Sequence, residues 1–393
     1  MIRHLITCEY PPQTGGVSDY TYLIALGLAN RGEEVHVWCP GYHGAEPDTR
    51  GIIVHRELGA MKLPDLMRVG RQLNDFPPSR RILLQWVPHG YGYRSMNLVF
   101  CLWVLYRAVV RRDELEIMVH EPFLPFGLKN GRHNVLAAIH RLMTISLLRG
   151  VRRVWVAIPK WEPLLRPYTL WRPVSFRWLP VPSSIRVTDD PATVYAIRTK
   201  YIDGNSILIG HFGTYGTAIT AALEDILISL AKRPGKRKLL LMGHRSEEFC
   251  RELIARRPEL VGVIHSTGRL PERSVSLHVA ACDLLIQPYP DGVSTRRTST
   301  MLGLSHGKPV VTTSGHLTEA IWLDSGAVAI TPWGDPMRIV KLVEELENNS
   351  LERDRLGAAA LHLYKECFDI SHTIEALCEE SDRKPLPRTL CAS

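Results

Sequence analysis

Short apolar runs alternate with helical patterns along the first half of the chain. The runs lie at residues 4–8, 35–39, 52–55, 82–87, 117–120 and 154–158. Apolar residues at helical spacing begin at residue 18 and recur at 62–75, 96–111, 133–148 and 160–166. Strands buried on both faces that alternate with helices predict a doubly wound α/β domain with a parallel sheet.

The same alternation begins again after a segment with the composition of a linker. Residues 179–185 contain two prolines and small polar residues and have no periodicity. Strands are predicted at 207–212, 238–242, 261–265, 284–287, 309–312 and 328–330. Helices are predicted at 218–232, 246–257, 274–281, 295–306, 316–323 and 335–347, and 351–380 has a helical pattern. We therefore expect two Rossmann-like domains, at 1–182 and 183–380. The last helices of the second domain are candidates for packing against the first domain. A disordered tail is expected at 381–393.

The excess of positive over negative charge lies entirely in the first half of the chain. The net charge is +8, with 23 Lys and Arg against 14 Asp and Glu up to residue 182, and 25 against 26 beyond it. A one-sided basic surface suits an anionic substrate, an anionic membrane face or nucleic acid. No nucleic-acid-binding motif is present, so we expect no nucleic-acid partner.

The sequence predicts a cytoplasmic protein that does not span a membrane. The amino-terminal residues lack the apolar core of a signal peptide and are interrupted at Pro11. The most apolar run, residues 98–106, has about half the length needed to cross a bilayer. Because this run is apolar nearly all round, we expect a buried helix rather than a helix at a membrane surface. The eight cysteines show no clustered spacing that would indicate a metal site.

The loop at 291–297 is the strongest candidate for ligand binding in the sequence alone. It follows a predicted strand and precedes a predicted helix, and ligands of parallel sheets bind where strands end and helices begin. Gly292 permits a close backbone approach, Ser294 and Thr298 supply hydroxyls, and Arg296 and Arg297 supply guanidinium groups. Two cations near a helix N-terminus oppose the helix dipole, which an anionic ligand would relieve. An ordinary solvated helix cap remains the alternative interpretation.

Several motifs, taken together, resemble the retaining glycosyltransferases of family 4, which have the GT-B fold. In the first half the motifs are YPPQTGGVSDY at 10–20, RGEEVHV at 31–37 and VPS at 181–183. In the second half they are HFG at 211–213, GRL at 268–270, AACDL at 280–284 with PY at 288–289, and HGKPVV at 306–311. The resemblance covers nearly the whole chain and implies two Rossmann-like domains facing across a cleft that closes over a nucleotide-diphosphate sugar and an acceptor.

The resemblance also implies roles for individual residues. His120 would contact the donor sugar as a neutral imidazole, and Glu121 would share that role or pair with a nearby arginine. Acceptor contacts would come from Asp19, His89 and Tyr91. Donor contacts would come from Gly15, Gly16, Gly213, Thr214, Gly243, Arg269, Asp291, Gly292, Ser294, Arg296, Arg297, Thr298 and Glu319. For Gly15 and Gly16 a plain turn between strand and helix is the alternative role, and for Glu319 it is compensation of charge at a helix N-terminus.

Two departures from the family pattern affect the donor site. The family has two glutamates eight positions apart, and the aligned positions here are Ser294 and Leu302. The basic residues that often follow the HFG motif are also absent, which leaves Arg296 or Arg297, with Arg245 and Arg269 as further candidates, to neutralise the diphosphate.

The resemblance implies transfer of a sugar from a nucleotide-diphosphate sugar to an acceptor hydroxyl with retention of configuration. No compact carboxylate pair is visible, so we expect no metal. The basic first half favours a glycan or lipid-linked acceptor and an anionic membrane surface, as in polysaccharide or glycolipid synthesis at the inner face of the cell membrane. The alternatives are a nucleotide-sugar epimerase of the same fold, a catalytically silent partner that binds a nucleotide sugar, and, least favoured, a nucleic-acid binder.

Overall fold

The computed structural model describes residues 1–42, 44, 51–127, 131–202, 204 and 206–379, which fold into two compact units. The first unit contains Met1–Pro180 and Ile370–Glu379, and the second contains Val181–Asp369. The chain thus passes between units inside the segment that its prolines mark as a linker. The tail expected at 381–393 lies outside the described residues.

The first unit is built on a seven-stranded parallel sheet with the order β3-β2-β1-β4-β5-β6-β7. Its strands are β1 (Ile2–Ile6), β2 (Glu34–Trp38), β3 (Ile52–His55), β4 (Arg81–Trp86), β5 (Glu114–Val119), β6 (Arg153–Val156) and β7 (Ser175–Trp178). Its helices are α1 (Gly16–Asn30), α2 (Leu63–Asn74), α3 (Leu98–Val109), α4 (Gly131–Leu148) and α5 (Trp161–Leu165). Because β1 pairs with β2 on one side and β4 on the other, the strand order reverses there.

The second unit repeats this plan with six parallel strands in the order β10-β9-β8-β11-β12-β13. The strands are β8 (Ile207–Phe212), β9 (Arg237–Met242), β10 (Ile264–Ser266), β11 (Leu284–Gln287), β12 (Val310–Ser314) and β13 (Ala329–Pro332). The helices are α6 (Pro191–Tyr201), α7 (Thr217–Lys232), α8 (Ser246–Arg256), α9 (Glu272–Ala281), α10 (Thr298–Ser305), α11 (Ala320–Asp324), α12 (Pro336–Glu347) and α13 (Ser350–Leu363). Here the order reverses between β8 and β11.

After the second unit, the chain returns to the first unit. A π-helical turn at Tyr364–Phe368 leads from α13 to α14 (Ile370–Cys378), which packs on α1. Arg3 donates a hydrogen bond from Nη2 to the carbonyl of Leu377 at 2.9 Å. Ile374 is buried beside Gly27, where a Cβ would lie 2.5 Å from its Cδ1 atom.

The local signals that start helices agree with the structure in the second unit. Asp190, Asp335 and Asn349 each accept a hydrogen bond from a backbone N–H in the first turn of α6, α12 and α13. Such caps satisfy donors that have no partner inside the helix. Apolar residues from α7, α8, α12 and strands β8–β12 then form one continuous core.

The sequence pattern predicts most elements and misses two. The expected α/β class with two parallel sheets is confirmed. Strand β7 and helix α6 are absent from the prediction, since β7 has no fully buried residue and α6 buries only Tyr201. Elements that bury little carry little apolar periodicity.

One prediction about a helix is wrong. The run at 98–106 belongs to α3, but only one face of this helix is buried, and Leu98, Val99, Leu102 and Tyr106 are exposed. Among the described residues, no helix has both the length and the apolar character needed to cross a bilayer.

Candidate functional site

The expected donor residues of the second half lie at the carboxyl ends of the strands of one parallel sheet. Gly213 and Thr214 follow β8, Gly243 follows β9, and Arg269 follows β10. The loop 288–297 follows β11, and Glu319 lies in the loop after β12. Because all six strands are parallel, their carboxyl ends form a single edge of the sheet. The reversal between β8 and β11 places a crevice at this edge, where doubly wound sheets bind ligands.

Asp291 joins the two arginines that the sequence analysis selected. Arg296 donates from Nη2 to Asp291 at 2.7 Å, and Arg297 donates from Nη2 to the other carboxylate oxygen. Burial acts to raise the pKa of Asp291, but the two guanidinium groups outweigh it and hold the pKa below its usual value. One carboxylate between two cations leaves a local charge of +1, which favours an added anion.

Arg297 also has a defined orientation. Its guanidinium carbon lies 4.5 Å from the centre of the Tyr289 ring, and the Tyr289 hydroxyl is within 2.7 Å of Ser299 and 2.9 Å of Thr300. The Nε–H of Arg297 is buried and makes no hydrogen bond within the described part of the chain. Helix α10 begins at Thr298, three residues later than predicted. Arg297 is therefore the cap residue, and Arg296 precedes the helix.

Three buried polar atoms near the strand reversal have no hydrogen-bond partner among the residues the structure describes. They are Nε2 of His211, Oε1 of Gln287 and Oγ of Ser294. His211 donates from Nδ1 to the carbonyl of Ile286 at 2.7 Å, which leaves Nε2 as a hydrogen-bond acceptor. Burial lowers the pKa of His211 to about 4, although that bond acts to raise it, so the ring is neutral near pH 7. Buried polar atoms without partners are rare and mark places where water or a ligand binds.

Ser294 was expected to touch the donor, and its position corrects that expectation in part. The side chain is fully buried, so a ligand reaches its hydroxyl only if the surrounding loop moves. His211 and Gln287 were not selected from the sequence as site residues. The available signal was a polar residue near the end of an otherwise apolar strand, as in LLIQ and ILIGHF.

Two of the expected donor glycines make room for neighbouring loops. A Cβ on Gly243, whose φ is 111°, would lie 2.3 Å from the carbonyl oxygen of Gly213. A Cβ on Gly292, whose φ is 88°, would lie 2.3 Å from the backbone nitrogen of Gly315. The absence of a side chain is therefore explained by contacts between loops, without any ligand.

Glu319 holds the loop after β11 in place. Its carboxylate accepts hydrogen bonds from the backbone N–H of Thr295 at 3.0 Å and from Nε1 of Trp322 at 2.9 Å, and also from the Thr295 hydroxyl. Burial raises the pKa of Glu319, against the hydrogen bonds that lower it. Both carboxylate oxygens thus have protein partners, and the contacts support the segment that carries Arg296 and Arg297. By contrast, Thr214 and Arg269 are exposed.

His120 lies at the carboxyl end of β5 in the first unit, close to the reversal between β1 and β4. Its Nε2 donates to Oε1 of Gln85 at 2.8 Å, and its ring packs edge-on against Tyr20 at 4.9 Å. Burial lowers the pKa of His120 to about 3. The imidazole is therefore neutral near pH 7, and Nδ1 carries the lone pair that can accept a hydrogen bond.

Tyr91 supports this arrangement from inside the unit. It is fully buried, and its hydroxyl donates to the backbone carbonyl of Gln85. This corrects the expectation that Tyr91 binds the acceptor, because a residue without exposed surface cannot contact one in this conformation. Gln85 was also not selected from the sequence, although it too is a polar residue near the end of an otherwise apolar strand, RILLQW.

His89 and Glu121 form an exposed pair. Nδ1 of His89 lies 3.4 Å from Oε2 of Glu121, and the two side chains are 60% and 46% exposed. Glu121 therefore pairs with His89, which is one of the expected acceptor residues. The pair expected from the sequence was with an arginine. Both groups remain accessible to solvent and to a ligand.

A carboxylate occupies the place where the glycine pair was expected to receive phosphate. Oε1 of Glu9 accepts hydrogen bonds from the backbone N–H groups of Val17 at 3.1 Å and Ser18 at 3.0 Å, in the first turn of α1. A Cβ on Gly15 would lie 2.1 Å from this same oxygen, whereas a Cβ on Gly16 would meet nothing within 4 Å. Gly15 thus makes room for Glu9, and Gly16 and Asp19 are exposed beside it. The sequence analysis did not select Glu9.

No group of three or more His, Cys, Asp or Glu side chains among the described residues is arranged to hold a metal ion.

No protein-family model matches the chain, and no curated protein matches it by sequence. Solved structures match it over almost its full length. HepE from Anabaena, in complex with UDP and glucose, has a TM-score of 0.66 and 14% identity, and the match covers 96% of this chain and 98% of HepE. Sucrose-phosphate synthase from Thermosynechococcus elongatus has a TM-score of 0.69 and 14% identity, with 96% and 97% covered. WaaG, a glycosyltransferase involved in lipopolysaccharide biosynthesis, has a TM-score of 0.63 and 15% identity, with 96% and 98% covered. The likeness shows that the chain has the GT-B fold.

Proposed function

We propose that this GT-B-fold protein transfers a sugar from a nucleotide-diphosphate sugar to an acceptor hydroxyl with retention of configuration. The observation that carries the proposal is the group formed by Arg296, Asp291 and Arg297 at the strand reversal of the second sheet, beside three buried polar atoms without described partners. The likeness to HepE, which was solved with UDP and with UDP-glucose, supports this assignment.

The arginines supply the charge that the leaving diphosphate needs. A guanidinium group can bind two phosphate oxygens at once, and donors that are already oriented stabilise charge better than solvent does. The cation–π contact with Tyr289 and the ion pairs with Asp291 provide that orientation. We propose that these groups act without a metal. Thr214 and Arg269, which are exposed at the same edge, are further donor contacts in this proposal.

In the first unit we propose that His120 contacts a hydroxyl of the sugar. Its Nε2–H donates a hydrogen bond to Gln85, so Nδ1 is the atom that accepts a hydrogen bond from the sugar hydroxyl. The neighbouring pair of Glu121 and His89, with Asp19, is proposed to contact the acceptor. The basic first half supports a glycan or lipid-linked acceptor presented at an anionic membrane, as in polysaccharide or glycolipid synthesis on the cytoplasmic side.

A second candidate function is binding of a nucleotide sugar without transfer. It is favoured by Ser294 and Leu302, which stand where the resemblance expects two glutamates and are both buried. An epimerase of the same fold has no specific observation in its favour. Release of nucleotide together with a glycosylated product, with the anomeric configuration read by NMR, distinguishes transfer from both alternatives.

The arginine assignment predicts the result of a binding experiment with Arg296→Ala and Arg297→Ala. Removal of a charged hydrogen-bond donor costs about 1.5–3 kcal/mol, so the affinity for the preferred nucleoside diphosphate should fall by roughly 10- to 100-fold in at least one variant. Calorimetry against the common nucleoside diphosphates, with and without EDTA, measures this change, and EDTA should have no effect.

Arg233→Ala is the matched control, because Arg233 lies in the same unit and pairs with Glu344 on the surface. Its affinity should equal that of the wild type. Unchanged affinity in both site variants would remove the assignment, and a requirement for a divalent cation would remove the metal-independent mechanism.

A further inference from the structure

Helices α3 and α4 are neighbours in one layer on one side of the first sheet. The connections from β3 to β4, β4 to β5 and β5 to β6 all move in the same direction across the sheet. Right-handed crossovers place α2, α3 and α4 on the same side, and α3 packs against both α2 and α4. The outer surface of this layer faces away from the sheet.

The outer surface of α3 is apolar and open to solvent. Its inner residues, including Phe100, Trp103 and Val104, are buried. The exposed apolar residues of α3 and the following turn are 37–61% exposed, and they are Leu98, Val99, Leu102, Tyr106, Val109 and Val110. Val135 and Leu142 on α4 are exposed as well. We refer to these eight residues as the α3–α4 face.

The sequence segment that carries this face is basic. Neither α3 nor α4 contains an Asp or Glu. Residues 76–161 contain 13 Lys and Arg against 4 Asp and Glu, a net charge of +9, which equals the whole excess of the first half. Exposed arginines lie at both ends of the face, with Arg111 and Arg112 after α3 and Arg132 and Arg149 at the ends of α4.

The few acidic residues in this segment are already paired. Asp113 is buried between Arg80 and Arg107. The other three acids have partners on the same unit, with Glu114 bound to Arg152, Glu116 to Arg153 and Glu121 to His89. None of these ion pairs within the described part of the chain involves Arg111 or Arg112, so both keep their positive charge at the carboxyl end of α3.

An exposed tryptophan lies in the loop that is bound to the carboxyl end of α4. Trp171 is 96% exposed, and its φ of 64° is unusual for a residue other than glycine. The next residue, Arg172, donates to the carbonyls of Leu148, Arg149 and Val151, which fixes this loop against the end of α4. Tryptophan is enriched where protein meets the headgroup region of a membrane.

We propose that the α3–α4 face binds the surface of an anionic lipid bilayer. The apolar side chains and Trp171 enter the boundary between headgroups and acyl chains, and the arginines contact lipid phosphates. Charge complementarity selects this occupant. A symmetric dimer through this face would bring arginines of two copies together with no acid on either helix to pair them, and nucleic acid offers no partner for the apolar centre.

The inference deepens the membrane partner included in the proposed function by naming the surface responsible. It leaves the nucleotide site in the second unit unchanged. Loss of vesicle binding with intact nucleotide affinity therefore concerns this inference alone, and loss of nucleotide affinity in the arginine variants concerns the sugar-transfer proposal alone.

The test is co-sedimentation of the full chain with vesicles of phosphatidylcholine alone or mixed equally with phosphatidylglycerol. The wild type should bind the anionic vesicles at least tenfold more tightly, and 0.5 M salt should weaken that binding. The triple variant Leu102→Ser, Val109→Ser, Val110→Ser and the double variant Arg111→Gln, Arg112→Gln should each lose tenfold or more. All of the substituted side chains are exposed, so folding should be retained.

Leu351→Ser with Val261→Ser is the matched control, because both residues are exposed and apolar but lie in the second unit. This control should bind vesicles like the wild type, and every variant should keep its nucleoside-diphosphate affinity. Equal binding by the wild type and the triple variant would overturn the proposal. It would also be overturned by a wild-type dimer that fails to bind vesicles and dissociates when the triple substitution is made.

Discussion

At the scale of single residues, the first unit presents a histidine whose protonation and direction are both set by buried neighbours. Gln85 is fully buried and accepts the Nε2–H of His120, while Tyr91 holds the Gln85 backbone. Burial moves the pKa of His120 to about 3, so the ring stays neutral over the physiological range. These contacts leave Nδ1 as the one ring atom suited to accept a hydrogen bond from a ligand.

We predict that His120→Asn lowers the rate of sugar transfer by roughly 10²- to 10³-fold, since an oriented group at the reacting centre contributes on that order. Nucleoside-diphosphate affinity should not change, because we propose that Arg296 and Arg297 provide it. Steady-state kinetics and calorimetry separate the two effects. His89→Asn, at an exposed position, is the control and should reduce the rate less.

The lowered pKa also fixes the sign of the pH effects. Between about pH 3 and 6.5 the unfolded chain binds a proton at this residue and the folded chain does not, so the stability contributed by neutral His120 decreases as the pH falls through that window. The transfer rate should accordingly show no limb from His120 between pH 5 and 9. A limb near pH 6 that disappears in His120→Asn would contradict this account.

At the scale of secondary-structure elements, helix α1 begins on a carboxylate supplied from the preceding loop. Gly15, the cap residue, has no side chain to offer, and Glu9 instead accepts the N–H groups of Val17 and Ser18. A negative charge at this end also complements the helix dipole. The contact between the loop after β1 and the start of α1 therefore depends on the absence of a Cβ at residue 15.

We predict that Gly15→Ala displaces Glu9 and destabilises the first unit by about 1 kcal/mol, the usual cost of a lost N-terminal cap. Glu9→Ala should cost a similar amount. The double variant should cost little more than either single variant, since the interaction is already lost in each. Thermal unfolding, together with hydrogen exchange at Val17 and Ser18, measures the coupling.

Gly16→Ala is the matched control for this cycle, because a Cβ at residue 16 would meet nothing within 4 Å. It should leave the melting temperature unchanged. Additive losses in the Gly15 and Glu9 double variant would show that the two residues act independently.

At the scale of the whole molecule, the chain completes its first unit with its last described helix. Helix α14 packs on α1 after nearly two hundred residues of the second unit, and Arg3 on β1 binds the carbonyl of Leu377. Ile374 fills the space beside Gly27. The stability of the first unit therefore depends on a segment that follows the whole second unit in the sequence.

We predict that Ile374→Ala lowers the stability of the first unit by about 2–4 kcal/mol, because truncation of a buried aliphatic side chain leaves a cavity. The nucleoside-diphosphate affinity of the second unit should be retained. Leu351→Ala, on the surface of the second unit, is the control and should change neither property. Calorimetric scans with and without the nucleotide check both statements, and equal losses in the two variants would contradict the first.

The sequence by itself determined the elements whose information is local. Buried strands such as β8 and β11 begin with three consecutive apolar residues, and caps such as Asp190 lie within three residues of the N–H groups that they bind. The alternation of such strands with helices is enough to specify two doubly wound sheets. The order in which the strand-end loops follow one another then places Arg296, Arg297 and His120 at the carboxyl edges.

Only the tertiary structure decided which partners those residues have. Nothing near residue 15 indicates that Glu9 caps α1, nothing near residue 91 indicates that Tyr91 is buried beneath Gln85, and the apolar composition of α3 does not reveal that half of it faces solvent. Hydrophobic periodicity reports how much of an element is buried, whereas the identity of each contact depends on segments far away in the chain. For that reason the candidate residues could be placed at strand ends from the sequence, but their charge balance, protonation and accessible atoms could not.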